Sequence, residues 1–260
     1  MEVVIVDDVT VGARLVADAI AALVSERPGA VLGLATGSTP LPVYKALIAL
    51  QHEGLDLGSV TAFALDEYVG LPPSDPASYR SVLREEFTDR IGLPPEHLHT
   101  PDGLSDDLPQ ACHMYEQAIQ HAGGIDVQLL GVGTDGHIGF NEPTSSLGSG
   151  TRIKTLTDQT IADNARFFGD DPARVPRHVI TQGVGTILGA RHLILLAWGH
   201  GKAPAVAATV EGPITAMVPS SALQLHPHVT VVVDEAAASS LQLTDYYRHV
   251  YDNKPPWQGL

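Results

Sequence analysis

Short runs of apolar residues alternate along the chain with longer segments in which apolar positions recur at helical spacing. The runs that we predict to be β-strands are residues 3–6, 31–35, 60–65, 125–131, 192–197 and 229–233. Residues 10–25 and 41–51, which follow the first two runs, have the spacing of amphipathic helices. Because the strands are apolar throughout rather than alternately polar, we expect both of their faces to be covered, as in a parallel sheet between helix layers.

This order of elements predicts an α/β fold, an open, doubly wound, mostly parallel sheet flanked by helices and Rossmann-like in architecture. Ligands of such folds bind at the carboxyl ends of the strands. No repeat or linker divides the 260 residues, so we expect one domain over residues 1–260. The least regular stretch, roughly residues 144–176, is rich in turn residues and carries several cations. Such a segment inside a compact domain is more often a functional lid than a connector.

The charge balance excludes several classes of partner. The chain has 15 Lys and Arg against 30 Asp and Glu, a formal net charge of −15, so we expect neither nucleic acid nor membrane as a partner.

Cys112 is the only cysteine, which excludes an intramolecular disulfide and a thiolate metal cluster. The first eight residues carry acids where a secretion signal needs bases, and their apolar run is short. We therefore predict a cytoplasmic location.

The turn between the second strand and the second helix is a candidate anion site. Residues 32–40 read Leu-Gly-Leu-Ala-Thr-Gly-Ser-Thr-Pro. Free N–H groups at a helix start attract an anion, and the hydroxyls of Ser38 and Thr39, beside Gly37, add donors. The spacing is neither that of a P-loop nor that of a dinucleotide fingerprint. An ordinary turn capped by a hydroxyl would have the same composition, so this motif alone does not establish an anion site.

Two carboxylates, Asp66 and Glu67, directly follow the third apolar run. Adjacent side chains of an extended chain point to opposite faces, so one can enter a cleft while the other holds structure. A carboxylate in a partly dry cleft can have a raised pKa and act as a base towards a carbon acid. An acidic helix start is the alternative interpretation.

The richest motif is the glycine-rich segment after the predicted strand 125–131. Asp135, His137 and Glu142 lie there within eight residues of one another. A neutral imidazole can accept a proton near pH 7, and a flanking carboxylate fixes its tautomer and stabilises the imidazolium. This chemistry predicts acid–base catalysis. A zinc site is the competing interpretation. It is disfavoured because a third ligand at suitable spacing is missing.

Two cations are candidates for binding a phosphate. Lys202 follows the predicted strand 192–197, and Arg166 lies in the predicted lid. Either could neutralise a phosphate at the turn after the second strand, although a single Lys or Arg is more often a solvated surface residue. His226 and His228 flank a strand start without carboxylate neighbours, and we predict that they are structural.

Taken together and in order, these motifs resemble the glucosamine-6-phosphate deaminase (isomerase) family, over about residues 31–235. The motifs that carry the resemblance are Leu-Gly-Leu-Ala-Thr-Gly-Ser-Thr-Pro, Leu-Asp-Glu-Tyr-Val-Gly-Leu, Gly-His-Ile-Gly-Phe-Asn-Glu-Pro and Leu-Gln-Leu-His-Pro. The resemblance implies conversion of glucosamine 6-phosphate and water to fructose 6-phosphate and ammonia, without metal or organic cofactor. It also implies a small-molecule sugar phosphate as partner and is compatible with a homo-oligomer.

The resemblance assigns a role to each candidate residue. His137 looks like the base that opens the sugar ring, with Asp135 and Glu142 holding the imidazole. Asp66 resembles the base that moves a proton between C2 and C1. The residues that correspond to the phosphate site are Gly37, Ser38, Thr39, Arg166 and Lys202. Gly150 stands where hexameric, allosterically activated relatives carry an arginine, so we expect no activation by N-acetylglucosamine 6-phosphate.

Three other functions remain open at this point. A 6-phosphogluconolactonase would share the phosphate turn and the loop histidine but would not need the Asp66 base. A galactosamine-6-phosphate deaminase would differ by one hydroxyl contact that the sequence does not reveal. A catalytically silent sugar-phosphate sensor would carry a DNA-binding segment and a damaged site, whereas this N-terminus is acidic and all four acid–base residues are present.

Overall fold

The computed structural model describes residues 1–255 and 257–260. Its strands are β1 (Glu2–Val6), β2 (Val31–Leu34), β3 (Thr61–Ala64), β4 (Asp66–Tyr68), β5 (Leu98–His99), β6 (Val127–Gly131), β7 (Arg152–Thr155), β8 (His178–Thr181), β9 (His192–Ala197) and β10 (Val229–Asp234). Its α-helices are α1 (Val9–Glu26), α2 (Leu41–His52), α3 (Tyr79–Leu83), α4 (Leu108–His121), α5 (Asp158–Asn164), α6 (Val184–Leu188), α7 (Ala203–Val210), α8 (Glu235–Ala238) and α9 (Thr244–Asp252). Short 3₁₀ and π turns connect several of them.

Seven strands form a parallel sheet in the order β1-β10-β9-β6-β2-β3-β5. Its two faces bury separate hydrophobic clusters, as β9 illustrates: Ile194 and Leu196 join one cluster, and Leu193 and Leu195 join the other. Helices α1 and α2 pack on the first face, and α4, α6, α7 and α8 pack on the second. The predicted α/β fold is confirmed, because continuously apolar strands need helices on both sides.

A second, antiparallel sheet of three strands, in the order β4-β8-β7, was not predicted. The chain passes into this small sheet at Leu65. The N–H of Leu65 donates to Leu34 O in the main sheet, and its carbonyl accepts from Gln182 N, directly after β8. Strand β7 and helix α5 both lie within residues 144–176, so the predicted lid is more regular than the sequence indicated. This lid segment encloses its own small core, which includes Tyr68 and Phe168.

The amino-terminal edge of the main sheet is fixed by the buried carboxylate of Asp126. Its Oδ1 accepts from Arg27 Nη1 at 2.6 Å and from Arg191 Nη1 at 2.9 Å, and its Oδ2 accepts from Val31 N at 2.8 Å. One carboxylate therefore joins the start of β2 to the start of β6.

The two histidines predicted to be structural lie at this same edge. Both ring nitrogens of His226 are 2.8 Å from backbone carbonyl oxygens, those of His228 and Ala190. The ring of His228 stacks on that of His192 with centroids 3.7 Å apart. The contacts confirm a structural role.

The connection order positions a crevice at the opposite edge. The chain runs from β2 to β3 and β5 in one direction, and then β6 is placed on the other side of β2. Loops that leave the carboxyl ends of β2 and β6 therefore diverge, and a crevice opens between them. Within the described residues, no helix has the length and apolar composition that crossing a bilayer requires.

Candidate active site

Four neighbouring strands, β9, β6, β2 and β3, carry the candidate residues just beyond their carboxyl ends. Lys202 follows β9, and His137 lies in the loop after β6. Gly37 lies in the turn after β2, and Asp66 follows β3 by two residues. The sheet thus brings together segments that are up to about 165 residues apart in sequence.

His137 lies between two carboxylates, and we call Asp135, His137 and Glu142 the His137 triad. The Nδ1 atom of His137 is 2.7 Å from Asp135 Oδ1 and 3.4 Å from Glu142 Oε2. Neither contact has the geometry of a hydrogen bond. Ionised carboxylates only accept hydrogen bonds, so Nδ1 carries the proton and the neutral ring keeps its lone pair on Nε2.

The charges of the triad favour the imidazolium. Burial lowers the pKa of His137, but the carboxylates of Glu142 and Asp135 raise it by more, so the net shift is upward. The same interaction holds the pKa of Glu142 well below its usual range. A proton taken up by His137 is therefore stabilised within the triad.

A glycine allows the ring of His137 to fold back over the end of β6. A Cβ atom on Gly133 would clash with the imidazole of His137, so a larger residue would displace the ring. The N–H of Gly133 also donates to the carbonyl of His137 at 2.9 Å. Gly133 is needed for this close approach.

Glu67 has a structural position. Its Oε1 accepts from Tyr68 N at 2.8 Å and Tyr79 N at 2.9 Å, and its Oε2 accepts from Arg80 N at 2.9 Å. These bonds fix the start of α3 against β4. Glu67 is therefore the member of the Asp-Glu pair that holds structure.

Asp66 points the other way and is 5% exposed. Burial, and to a smaller extent the charge of Glu67, raise its pKa to about 8 against the opposing charge of His137. A charge interaction thus links Asp66 to His137. A buried carboxylate of raised pKa is a stronger base than an ordinary one.

The turn after β2, residues 36–40, which we call the Gly37 turn, needs the left-handed backbone of Gly37 at φ +88°. Helix α2 begins at Leu41, as the sequence predicted, with Pro40 as its N-cap. Gly37 and Ser38 are exposed. Thr39 Cβ lies 3.6 Å from where a Cβ on Gly131 would be, so the turn lies beside the end of β6.

Trp198, which the sequence did not single out, fixes the Gly37 turn from the neighbouring strand. Its Nε1 donates to Thr39 O at 2.9 Å. The residue directly follows β9, and only the pairing of strands places it next to the turn.

Neither Lys202 nor Arg166 forms a salt bridge in the described part of the chain. Lys202 Nζ donates to Val132 O at 2.8 Å. Burial lowers the pKa of Lys202; the charge of Asp135 opposes this shift, as that of Asp163 does, whereas the charge of Arg166 adds to it. Arg166 is exposed, with its guanidinium 4.7 Å from the ring centroid of Phe167. Within residues 1–255 and 257–260 no hydrogen bond joins Arg166 to the Gly37 turn.

The His137 triad also meets the distance condition for a metal site. One ligand atom from each of Asp135, His137 and Glu142 lies within 4.8 Å of the others. The objection that a third ligand is missing was therefore wrong, because the loop folds Glu142 back towards His137. One nitrogen and two carboxylate oxygens are donors that Zn²⁺ accepts, so metal binding and acid–base chemistry have to be separated by experiment.

The lid segment reaches the triad through a residue that the sequence did not indicate. Thr160 Oγ1 of α5 donates to Glu142 Oε1 at 3.0 Å. At the other end of the helix, Asn164 Nδ2 donates to the hydroxyl of Tyr68 at 2.9 Å. The only local signal was the hydroxyl pair Thr157 and Thr160, which is typical of a helix start.

The chain is similar to known proteins over most or all of its length. The model of the family glucosamine-6-phosphate isomerases/6-phosphogluconolactonase matches residues 8–232. The glucosamine-6-phosphate deaminase of Streptomyces avermitilis is 61% identical over 261 residues, and that of Pseudarthrobacter chlorophenolicus is 61% identical over 260, each covering 100% of both chains.

The chain is also similar to solved structures. The chain is similar to a monomeric glucosamine-6-phosphate deaminase with 42% identity and a TM-score of 0.89, over 92% of this chain and 100% of that one. The 6-phosphogluconolactonase from Thermotoga maritima has a TM-score of 0.70 at 20% identity, over 90% of this chain and 98% of that one. The second likeness shows a shared fold only.

Proposed function

Because the chain belongs to the glucosamine-6-phosphate isomerase/6-phosphogluconolactonase family, we propose that it is a cytoplasmic glucosamine-6-phosphate deaminase. The reaction converts glucosamine 6-phosphate and water to fructose 6-phosphate and ammonia. The observation that carries the proposal is the buried carboxyl of Asp66, whose raised pKa is sensitive to the charge of His137. Lactone hydrolysis gives no role to a buried base of this kind, whereas moving a proton between two carbons requires one.

The first step is opening of the pyranose ring. Nε2 of neutral His137 takes the proton of the O1 hydroxyl, the C1–O5 bond breaks, and O5 receives a proton. Asp135 and Glu142 stabilise the imidazolium that forms, which is consistent with the raised pKa of His137. The product is the open-chain aldehyde.

The second step moves a proton from C2 to C1. The carboxylate of Asp66 removes the C2 proton, which is acidified by the C1 carbonyl and the C2 ammonium group. The C–H electron pair forms the C1–C2 double bond, and O1 takes a proton from the C2 ammonium, which gives a neutral enolamine. The proton held by Asp66 then returns to C1, which leaves an iminium at C2. Water adds to the iminium carbon, and the carbinolamine collapses to the ketone and ammonia. Only positioned acids and bases are needed.

The phosphate is held at the other end of the substrate. Lys202 and Arg166 are cations that form no salt bridge among the described residues, and the charge of Arg166 acts on Lys202, in a chain whose net charge is −15. Two such cations beside an exposed helix start form a local anion site. We therefore assign the phosphate to Gly37, Ser38 and Thr39 together with these two cations.

A side-by-side assay tests the proposal. Ammonia release from glucosamine 6-phosphate and from galactosamine 6-phosphate, and hydrolysis of 6-phosphogluconolactone, are measured with one enzyme preparation. We expect rapid release from glucosamine 6-phosphate, with a hyperbolic rate curve that N-acetylglucosamine 6-phosphate leaves unchanged. Lactone hydrolysis without ammonia release would overturn the assignment, and a preference for galactosamine 6-phosphate would change the substrate.

A further inference from the structure

The two carboxylate oxygens of Glu142 have different partners. Oε2 is the atom that faces His137, at 3.4 Å from Nδ1, whereas Oε1 accepts from the hydroxyl of Thr160 at 3.0 Å. A carboxylate held only at Oε2 could rotate about its last side-chain bond, because that torsion is broad and weakly restrained. The bond from Thr160 removes this freedom.

The direction of the hydrogen bonds follows from the ionised state of Glu142, whose pKa is lowered chiefly by His137. An ionised carboxylate cannot donate, so the Thr160 hydroxyl proton is directed at Oε1. The contact of 2.8 Å between the hydroxyl oxygens of Thr157 and Thr160 then has Thr157 as its donor. The resulting chain runs from Thr157 through Thr160 and Glu142 to His137.

The donors in this chain belong to the lid segment, not to the main sheet. Thr157 is the N-cap of α5, and its Oγ1 also accepts from Thr160 N at 3.1 Å. The far end of α5 is held by the bond from Asn164 to Tyr68. Thr160 can therefore reach Glu142 only while α5 lies in the position seen here.

We infer that Thr160 is a positioning residue for ring opening: through Oε1 it orients the Glu142 carboxylate, which in turn orients and stabilises His137. The inference rests on the proposed function for its substrate. It links the seating of α5 to the chemistry at His137, because the triad is complete only when the first turn of this helix is in place.

The test compares Thr160→Val, which keeps the shape and removes the hydroxyl, with Thr160→Ser, which restores a donor. Thr155→Val is the matched control, because Thr155 is exposed on β7 in the same segment. Steady-state rates are measured with cyclic glucosamine 6-phosphate. Inhibition by 2-amino-2-deoxyglucitol 6-phosphate, an open-chain analogue that cannot cyclise, reports binding after the ring-opening step. The ring signals of His137 are followed by NMR through a pH titration without substrate.

We expect kcat/KM for the cyclic substrate to fall by about tenfold in Thr160→Val, to recover in Thr160→Ser and to stay unchanged in Thr155→Val. The inhibition constant of the open-chain analogue should change by less than about twofold, since ring opening is bypassed. The apparent pKa of His137 should fall in Thr160→Val, because its carboxylate partner is no longer held, and should return in Thr160→Ser.

Equal losses for the cyclic substrate and the open-chain analogue would overturn the inference, since they would indicate general loosening of the lid. Wild-type His137 titration in Thr160→Val would overturn it as well. If the wild-type enzyme releases no ammonia, the proposed function is wrong. The inference about Thr160 is then still tested by the NMR comparison, which needs no substrate. Should Thr160→Val fail to fold, Thr160→Ala removes the same hydroxyl and is judged by the same results.

Discussion

Asp66 and Glu67 are neighbours in the chain, yet their carboxyl groups have opposite surroundings. Glu67 accepts three backbone N–H groups at 2.8 to 2.9 Å, whereas Asp66 is buried with a pKa of about 8 and senses the charge of His137. The alternation of side chains along an extended segment produces this division. One carboxylate fixes the fold, and the other is available for chemistry.

Substituting the two carboxylates should therefore give different defects. Asp66→Asn should abolish ammonia release while sugar-phosphate binding stays within a few fold, because the phosphate contacts are untouched. Glu67→Gln should instead lower stability by about 2 kcal/mol, since three N–H groups lose a charged acceptor. Turnover, calorimetric binding and thermal unfolding of both variants check this. Equal loss of binding in Asp66→Asn would move this residue from catalysis to the substrate clamp.

The pKa of Asp66 predicts how activity depends on pH. The carboxyl acts as a base only when ionised, so kcat/KM should rise with pH through the region around 8 and fall below it. In the enzyme–substrate complex the C2 ammonium favours the carboxylate, so the corresponding limb of kcat should lie at lower pH. Profiles of both parameters between pH 5 and 10 test the prediction. A kcat/KM profile that is flat between pH 6 and 9 would contradict it.

The same shift has a consequence for stability. The folded pKa of Asp66 is about 8, above the unfolded value of 3.8, so the folded state binds more protons between these values and loses stability as pH rises through them. Asp66→Asn removes the cost of the buried charge. At pH 9 this variant should be more stable than the wild type, on the order of a few kcal/mol, and near pH 4 the two should converge. Denaturant unfolding at both pH values measures the difference.

Lys202→Ala should mainly raise KM, because it removes a phosphate contact that is made in both the ground state and the transition state. Lys45→Ala, an exposed lysine on α2, is the control and should behave as the wild type. Steady-state kinetics of the two variants make the comparison. A large fall in kcat with unchanged KM would indicate that Lys202 acts in the chemical steps.

Asp126→Ala should lower the free energy of unfolding by about 3 kcal/mol and leave kcat unchanged. The carboxylate is buried, accepts from Arg27, Arg191 and Val31 N, and lies at the edge of the sheet opposite the site. Asp18→Ala breaks the exposed pair with Arg14 and should cost less than about 1 kcal/mol. Urea unfolding of both variants, with kcat measured in parallel, separates stability from function.

Removal of metal ions should leave activity intact. The His137 triad could hold a divalent cation by distance, but the proposed reaction needs His137 free to exchange a proton. After dialysis against a strong chelator, with metal content measured, the enzyme should keep its wild-type kcat. Loss of activity that Zn²⁺ restores would instead assign the triad to a catalytic metal.

The sequence predicted the central sheet because its strands carry strong local signals. Each predicted strand of the main sheet lies within about two residues of an observed one, since a continuously apolar run is stable only between two helix layers. The two-residue edge strand β5 was missed, as were the three strands of the small sheet, β4, β7 and β8. They are short, and β7 and β4 contain charged residues, so their conformation depends on pairing with one another rather than on local pattern.

The sequence by itself determined which candidate groups this protein carries: an Asp-Glu pair after one strand, a histidine between two acids after another, and a glycine turn before a helix. These groups were visible because strand ends and glycines mark functional loops locally. Only the tertiary structure decided that Glu142 folds back to His137, that Trp198 meets the Gly37 turn and that Thr160 reaches Glu142. Such contacts depend on strand order and on the seating of α5, which no local pattern encodes.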